Sequence, residues 1–158
     1  MGTDIRWHVE RRNKEGVWVP VGTYEVTFDY GDEYWHYTFN DPPGGWRVHG
    51  RNYYMFSALS DVRNNGTHFK EGVPVMPLNG LPADTHPIIR KVWHDDCYSE
   101  SHATLRELRE ANWDILDTSG HSFKKSVEYE DLSRVLVAMG KIDGVKSPDD
   151  VRAIWWFC

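Results

Sequence analysis

The chain has 158 residues, 40% hydrophobic and 27% charged, which is the size and balance of one soluble domain with a single core. Eighteen basic residues against 24 acidic ones leave a net charge of −6, which argues against the broad basic footprint of a duplex nucleic-acid binder. No apolar run reaches the roughly 18 residues of a membrane span, and residues 1–4 carry no charged-then-apolar leader pattern, so a cytoplasmic protein is expected.

The N-terminal third reads as β-structure. In residues 4–12, Ile5, Trp7 and Val9 alternate with Arg6, His8 and Glu10, the period of a half-exposed strand. Asn13-Lys14-Glu15-Gly16 is a turn, and residues 17–21 form a second strand that Pro20 places at an edge or bulge. Residues 23–30 and 33–40 flank Gly31-Asp32 as a further hairpin rich in Tyr, Trp, Phe and Thr. The first forty residues are thus expected to form one meander. Asp41-Pro42-Pro43-Gly44-Gly45 ends it.

Met55, Leu59 and Val62 at helical spacing predict a helix over 51–63, stopped near Asn64-Asn65-Gly66. Pro74, Pro77, Gly80 and Pro82 puncture residues 67–84, a loop of a length that is often functional. Pro87 suits the first turn of a short helix with Ile89, Val92 and Trp93 inward. Residues 95–101 are polar and read as loop. Thr104-Leu105-Arg106-Glu107 has capping-box form and starts a helix to about Asn112. Leu132, Val135, Leu136 and Met139 line one face of a helix over 128–139 with Gly140 as its cap. Val151, Ile154, Trp155, Trp156 and Phe157 fit a terminal strand. Strands, then helices, then one strand predict an α+β domain over 1–158: an antiparallel sheet from the N-terminal meander and the C-terminal strand, with three or four helices packed on one face.

Aromatic residues reach 14% although the mean hydropathy is −0.62, so aromatics carry an unusual share of the core. Cys97 and Cys158 are too few for a disulfide framework, and in a cytosolic chain two free thiols are expected over one bridge.

Three blocks stand in order from Gly50 onward: Arg51-Asn52-Tyr53-Tyr54-Met55-Phe56-Ser57-Ala58-Leu59-Ser60-Asp61-Val62-Arg63-Asn64, then Gly80-Leu81-Pro82-Ala83-Asp84, then Ser99-Glu100-Ser101 with Thr104-Leu105-Arg106-Glu107-Leu108. The combination resembles a family of small proteins of tailed phages and prophage-carrying bacteria, over about residues 50–114 and the terminal strand. Two positions depart from the pattern: Tyr98 stands where His is usual, and His102 where an aromatic is usual. The resemblance implies an origin rather than a chemistry.

The first candidate site is Trp46, Arg47, His49, Arg51, Asn52 and Tyr53. In an extended backbone Arg47, His49 and Arg51 share one face and run into a helix start, whose open N–H groups suit phosphate or carboxylate. Arginine adds a planar fork, and Trp46 or Tyr53 a stacking surface. The plainer alternative pairs the arginines with acids such as Asp41 and Asp61. A second candidate is the pair of tetrads His36-Tyr37-Thr38-Phe39 and His102-Ala103-Thr104-Leu105, similar to those of two-histidine phosphoesterases, although His102 falls at a predicted helix start. His94, Asp95, Asp96, Cys97 and His102 offer zinc-ligand types at no standard spacing. His121-Ser122 pairs a base with a hydroxyl, but neighbours in sequence rarely face each other and no orienting acid is evident.

Together these features favour a binding protein over an enzyme. The expectation is a phage counter-defence protein in the host cytoplasm that sequesters a nucleotide-derived immune signal, a cyclic nucleotide or ADP-ribose derivative, without turnover. It needs no cofactor or metal and contacts no duplex nucleic acid or membrane. It forms a homo-oligomer, with a strand edge and Trp155-Trp156 as interface. The rival expectations are a phosphodiesterase using His36 and His102, and a protein-binding inhibitor of a host defence enzyme.

Overall fold

A computed structural model describes residues 2–22, 24–29, 31, 34–39, 45–48 and 50–158; for 25, 26, 29 and 34–39 the description is of the backbone. In chain order the elements are β1 (Ile5–Arg12), β2 (Trp18–Pro20), β3 (Tyr24–Asp29), β4 (Tyr34–Phe39), α1 (Tyr53–Ser60), α2 (Pro87–Lys91), β5 (Tyr98–Thr104), α3 (Leu105–Glu110), α4 (Val127–Gly140) and β6 (Val151–Phe157), with a 3-10 turn at Phe123–Lys125 before α4. The fold is α+β, and its main sheet runs β2-β1-β6-β5 with every neighbour antiparallel.

The expected single meander divides in two. β1 and β2 join the main sheet, whereas β3 and β4 pair as a separate two-stranded sheet. Pro20 ends β2, and Gly22 at φ +87°, a conformation that disfavours a side chain, turns the chain out of the sheet. Trp46 and Gly50 then lie alongside β1. Trp7 Nε1 donates to the Trp46 carbonyl (3.0 Å) and the Ile5 N–H to the Gly50 carbonyl (3.4 Å).

β6 is the keystone. It lies between β1 and β5, and all seven of its residues are buried. That explains why, Arg152 apart, it is apolar throughout: a strand covered on both faces does not alternate. Both faces of the sheet are packed, which corrects the one-face expectation. On one face Ile5, Trp7, Val9, Ala103, Trp155 and Phe157 meet Met55, Phe56 and Leu59 of α1, Leu105 and Leu108 of α3, and Leu132 and Val135 of α4. On the other, Ile154 and Trp156 meet Ile89, Val92 and Cys97 around α2. Trp155 and Trp156 are therefore core residues and not an oligomer interface. Trp155 stacks on Trp7 at 5.3 Å and donates its indole N–H to Ser60 Oγ, while Trp156 stacks on His8 at 4.6 Å. Each such burial removes about 200 Å² from water, on the order of 5 kcal/mol before entropy is charged against it.

The polar run before α3 is a correction of the same kind. Residues 98–104 form β5 with a bulge between Tyr98 and Ser101, where Ser99 sits at φ 55°. His102 consequently lies in a strand, not at a helix start. Its sequence hides the strand because its partner, β6, is distant in the chain. Local signals hold better. Asn52 caps α1, the Thr104–Glu107 capping box opens α3, and Ser126 caps α4. α1 stops short of Arg63 because Asp61 turns left-handed at φ 59°. The 67–84 segment is a strap over α1: Val75 and Met76 donate to the carbonyls of Ala58 and Leu59, Phe69 and Met76 are buried, and Asn64 holds the strap through His68 and Phe69.

A charge pair is built into the second face. Glu10, fully buried, accepts from Arg152 at 2.6 Å and from the His86 N–H at 2.8 Å. Arg152 also reaches Asp84 at 2.9 Å and lies over the Trp18 ring at 4.2 Å. Each charge has partners, the condition under which a buried pair is tolerated. Finally, Cys97 and Cys158 form a disulfide, which corrects the expectation of two thiols. Cys158 exchanges two backbone hydrogen bonds with Asp4 (2.9 and 3.1 Å), continuing the β1–β6 ladder to the last residue and setting it beside Cys97.

Candidate functional site

Of the six residues of the first candidate site the structure describes five, and among these it parts Arg47 from Arg51. His49 lies outside the described residues. Trp46 packs against the main core and shares its carbonyl with Trp7. Arg47 is 8% exposed and its charge bears on His8. Burial first, then Arg47 and Arg6, hold the His8 imidazole well below its ordinary range and therefore neutral. Arg51 points outward, 60% exposed, with Nε 2.8 Å from Asp4 Oδ1. The expected common face fails for a local reason: Gly50, at φ +77°, turns the chain between Arg47 and Arg51 and breaks the alternation. Nor is the start of α1 open, because Asn52 Oδ1 accepts the Met55 N–H. Asp41 lies outside the described residues, and Asp61 serves Asn64 and the Gly72 N–H rather than an arginine.

Arg51 and Tyr53 do come together with others at the lead into β1. Arg51 binds Asp4, and a side chain on Gly2 would collide with its guanidinium. Arg63 Nε donates to Thr3 Oγ1 (2.9 Å), and its guanidinium lies 5.4 Å from the Tyr53 ring centre. The Thr3 N–H donates to the Tyr53 hydroxyl (2.9 Å), and Thr3 Oγ1 meets the Tyr98 hydroxyl (3.1 Å). Two arginines and two tyrosines thus surround Thr3 and Asp4, with Arg63 and Tyr98 exposed. Arg63 was missed because it follows the helix end, yet the Asp61–Asn65 turn that aims it has three non-glycine residues at positive φ.

A separate cleft of about 690 Å³ opens beside α4, lined by Tyr54, Asp114, Asp117, His121, Ser122 and Lys125 among others. Asp117 organises it. One oxygen accepts the N–H groups of Ser119 and His121 (both 2.9 Å), and the other accepts the Tyr54 hydroxyl (2.9 Å). The His121 N–H bond holds the Asp117 carboxyl below its ordinary value against the opposing effect of burial, with Tyr54 and Ser119 helping. Burial and Asp117 together push Tyr54 up to about 12. Orienting acids that sequence could not locate are therefore present. They do not make a relay: Ser122 Oγ donates to Asp114, while His121 Nδ1 lies 3.7 Å from Asp117.

The two-histidine pair is not assembled in the described residues either. His102 Nδ1 lies 2.8 Å from the Gly80 carbonyl and Thr104 Oγ1 accepts the Glu107 N–H, so both tetrad groups on β5 have structural work. The His36 side chain lies outside the description. Of the suspected zinc ligands, His94 and Cys97 do meet, but their third companion is Cys158, not His102. Among the described residues no helix is long and apolar enough to cross a membrane. No family model, curated protein or solved structure matches the chain.

Proposed function

We propose that the protein binds and sequesters a nucleotide-derived signal, a cyclic nucleotide or an ADP-ribose derivative, without turning it over, as a phage counter-defence protein of the host cytoplasm. One observation carries this: Arg51 and Arg63, flanking α1, reach neighbouring residues, Arg51 to Asp4 and Arg63 to Thr3, with Tyr53 and Tyr98 beside them. Planar guanidinium groups suit phosphate oxygens, and tyrosine rings give a base a face to stack on. A second copy of the chain would enclose a ligand on this exposed face, in keeping with a homo-oligomer.

The cleft at Asp117 favours a second site for the same behaviour. Its three acids, Asp114, Asp117 and Glu128, against Lys125 and His121 suit a ligand that carries an amine rather than several phosphates.

Incubation with a nucleotide panel, thermal melting, and recovery of ligand after heating decide the matter. A raised melting temperature with intact ligand recovered is expected. Arg51→Ala combined with Arg63→Ala, checked for folding by circular dichroism, should weaken binding more than about tenfold, the scale of losing one or two charge-assisted hydrogen bonds. Cleaved ligand would make the protein a phosphodiesterase. Binding that survives the arginine changes but is lost in Asp117→Asn would move the ligand to the cleft. No shift with any nucleotide would leave a protein-partner role in its place.

A further inference from the structure

The C-terminal end of β6 brings together three groups that zinc favours. His94 and Cys97 lie three residues apart in the turn after α2, closed by the Cys97 N–H donating to the His94 carbonyl at 3.0 Å. A pair of ligands spaced this way is the usual local half of a zinc site, and the other half comes from elsewhere in the chain. Here that is Cys158, whose backbone is fixed by its paired hydrogen bonds to Asp4. The ligating atoms of the three residues all lie within 4.8 Å of one another. Tetrahedral zinc, with bonds of about 2.3 Å to sulfur and 2.0 Å to nitrogen, needs its ligand atoms about 3.5–3.8 Å apart. The sulfurs have only to separate from bonding to that distance, and the imidazole to close by about an ångström. Cys97 is buried while His94 and Cys158 are half-buried, so the cluster is shielded on the core side and reachable from solvent on the other.

We propose that the Cys97–Cys158 disulfide and a Cys97/Cys158/His94 zinc site are two states of one clamp, with the metal form replacing the bridge in a reducing compartment. The conversion balances. A dithiol reductant gives two electrons and two protons to the disulfide and becomes a disulfide itself, leaving two thiols. Zn²⁺ then displaces both thiol protons to solvent, and His94 contributes a neutral nitrogen lone pair. Three protein ligands leave a fourth position for water. Reducing compartments do not preserve most disulfides, so a clamp that held the chain end only by a bridge would be lost there.

The full chain is reduced with a phosphine, which is then removed under anaerobic conditions, and titrated with Co²⁺ as a spectroscopic probe. One equivalent should bind with a thiolate-to-cobalt charge-transfer band, and Zn²⁺ should displace it. Zn²⁺ should also raise the melting temperature of the reduced protein but leave the oxidised protein unchanged. Cys97→Ser and Cys158→Ser should abolish the band. His94 is partly exposed, so His94→Ala, checked for folding by circular dichroism, tests the site, and it should weaken metal binding more than about tenfold. A reduced, folded protein with no charge-transfer band, or a His94→Ala variant that binds cobalt as tightly as the parent, would overturn the proposal.

Discussion

His8 shows how much one buried side chain can decide. It stands on a strand position that alternation marks as outward, yet it is fully buried, with Nδ1 2.8 Å from the Tyr24 hydroxyl and its ring on Trp156. Burial, Arg47 and Arg6 depress its affinity for a proton below that of the unfolded chain, where the pKa is near 6.5. The unfolded state therefore binds the extra proton in acid. The stability that neutral His8 contributes is complete above pH 6.5 and is lost as pH falls toward the depressed value, by at most about 1.4 kcal/mol per pH unit. The melting temperature should fall between pH 7 and pH 5, and His8→Gln should flatten that slope. A variant as steep as the parent would assign the dependence to another group. Asp84 and Asp149 act in a lower window. For Asp84 burial alone would raise the carboxyl, but the hydrogen bond and charge of Arg152 outweigh it; for Asp149 the bond from Arg106 lowers it. At this scale little of the candidate site was legible in advance. The Arg51–Asp4 and Arg63–Thr3 contacts join residues far apart in the chain, and no local pattern announces them.

Elements were legible wherever their signals are local. Caps are the clearest case, because a side chain and the N–H group it serves sit within three residues. Thr104 and Glu107 make both bonds of the capping box. Thr104→Ala should cost about 1 kcal/mol, read as a lowered urea midpoint, while Thr104→Ser should stay close to the parent. An unchanged midpoint in Thr104→Ala would mean that tertiary packing alone holds α3. Strands were legible where apolar residues are dense, as in β1 and β6. They were hidden where membership is decided by a partner: β5 is mostly polar and is a strand because β6 offers it an edge. The division of the N-terminal hairpins was hidden for the same reason, since alternation predicts a strand but not which sheet it joins.

Across the whole molecule, the two ends of the chain are held against each other. β1 and β6 pair from Ile5 with Phe157 to Arg11 with Val151, and the Cys97–Cys158 bridge closes a loop across a sequence separation of 61 residues. In the chain-entropy description a loop of that length is worth about 4 kcal/mol. Reduction in metal-free buffer should lower the unfolding free energy by about that much, read from denaturant curves against the oxidised protein, and an unmoved midpoint would show that the ladder alone secures the end. The α+β class was legible because its ingredients are; the coverage of both sheet faces was not, since α2 is only five residues long and gives little periodic signal. The central position of β6 also shapes how the protein fails. Should that strand detach, β1 and β5 would each present a bare row of N–H and carbonyl groups, and Val151–Phe157 would be released as a short apolar segment with one charge and no proline. Such a segment beside two vacant templates is the starting material for intermolecular β-pairing, so solubility here depends on the same seven residues as the core.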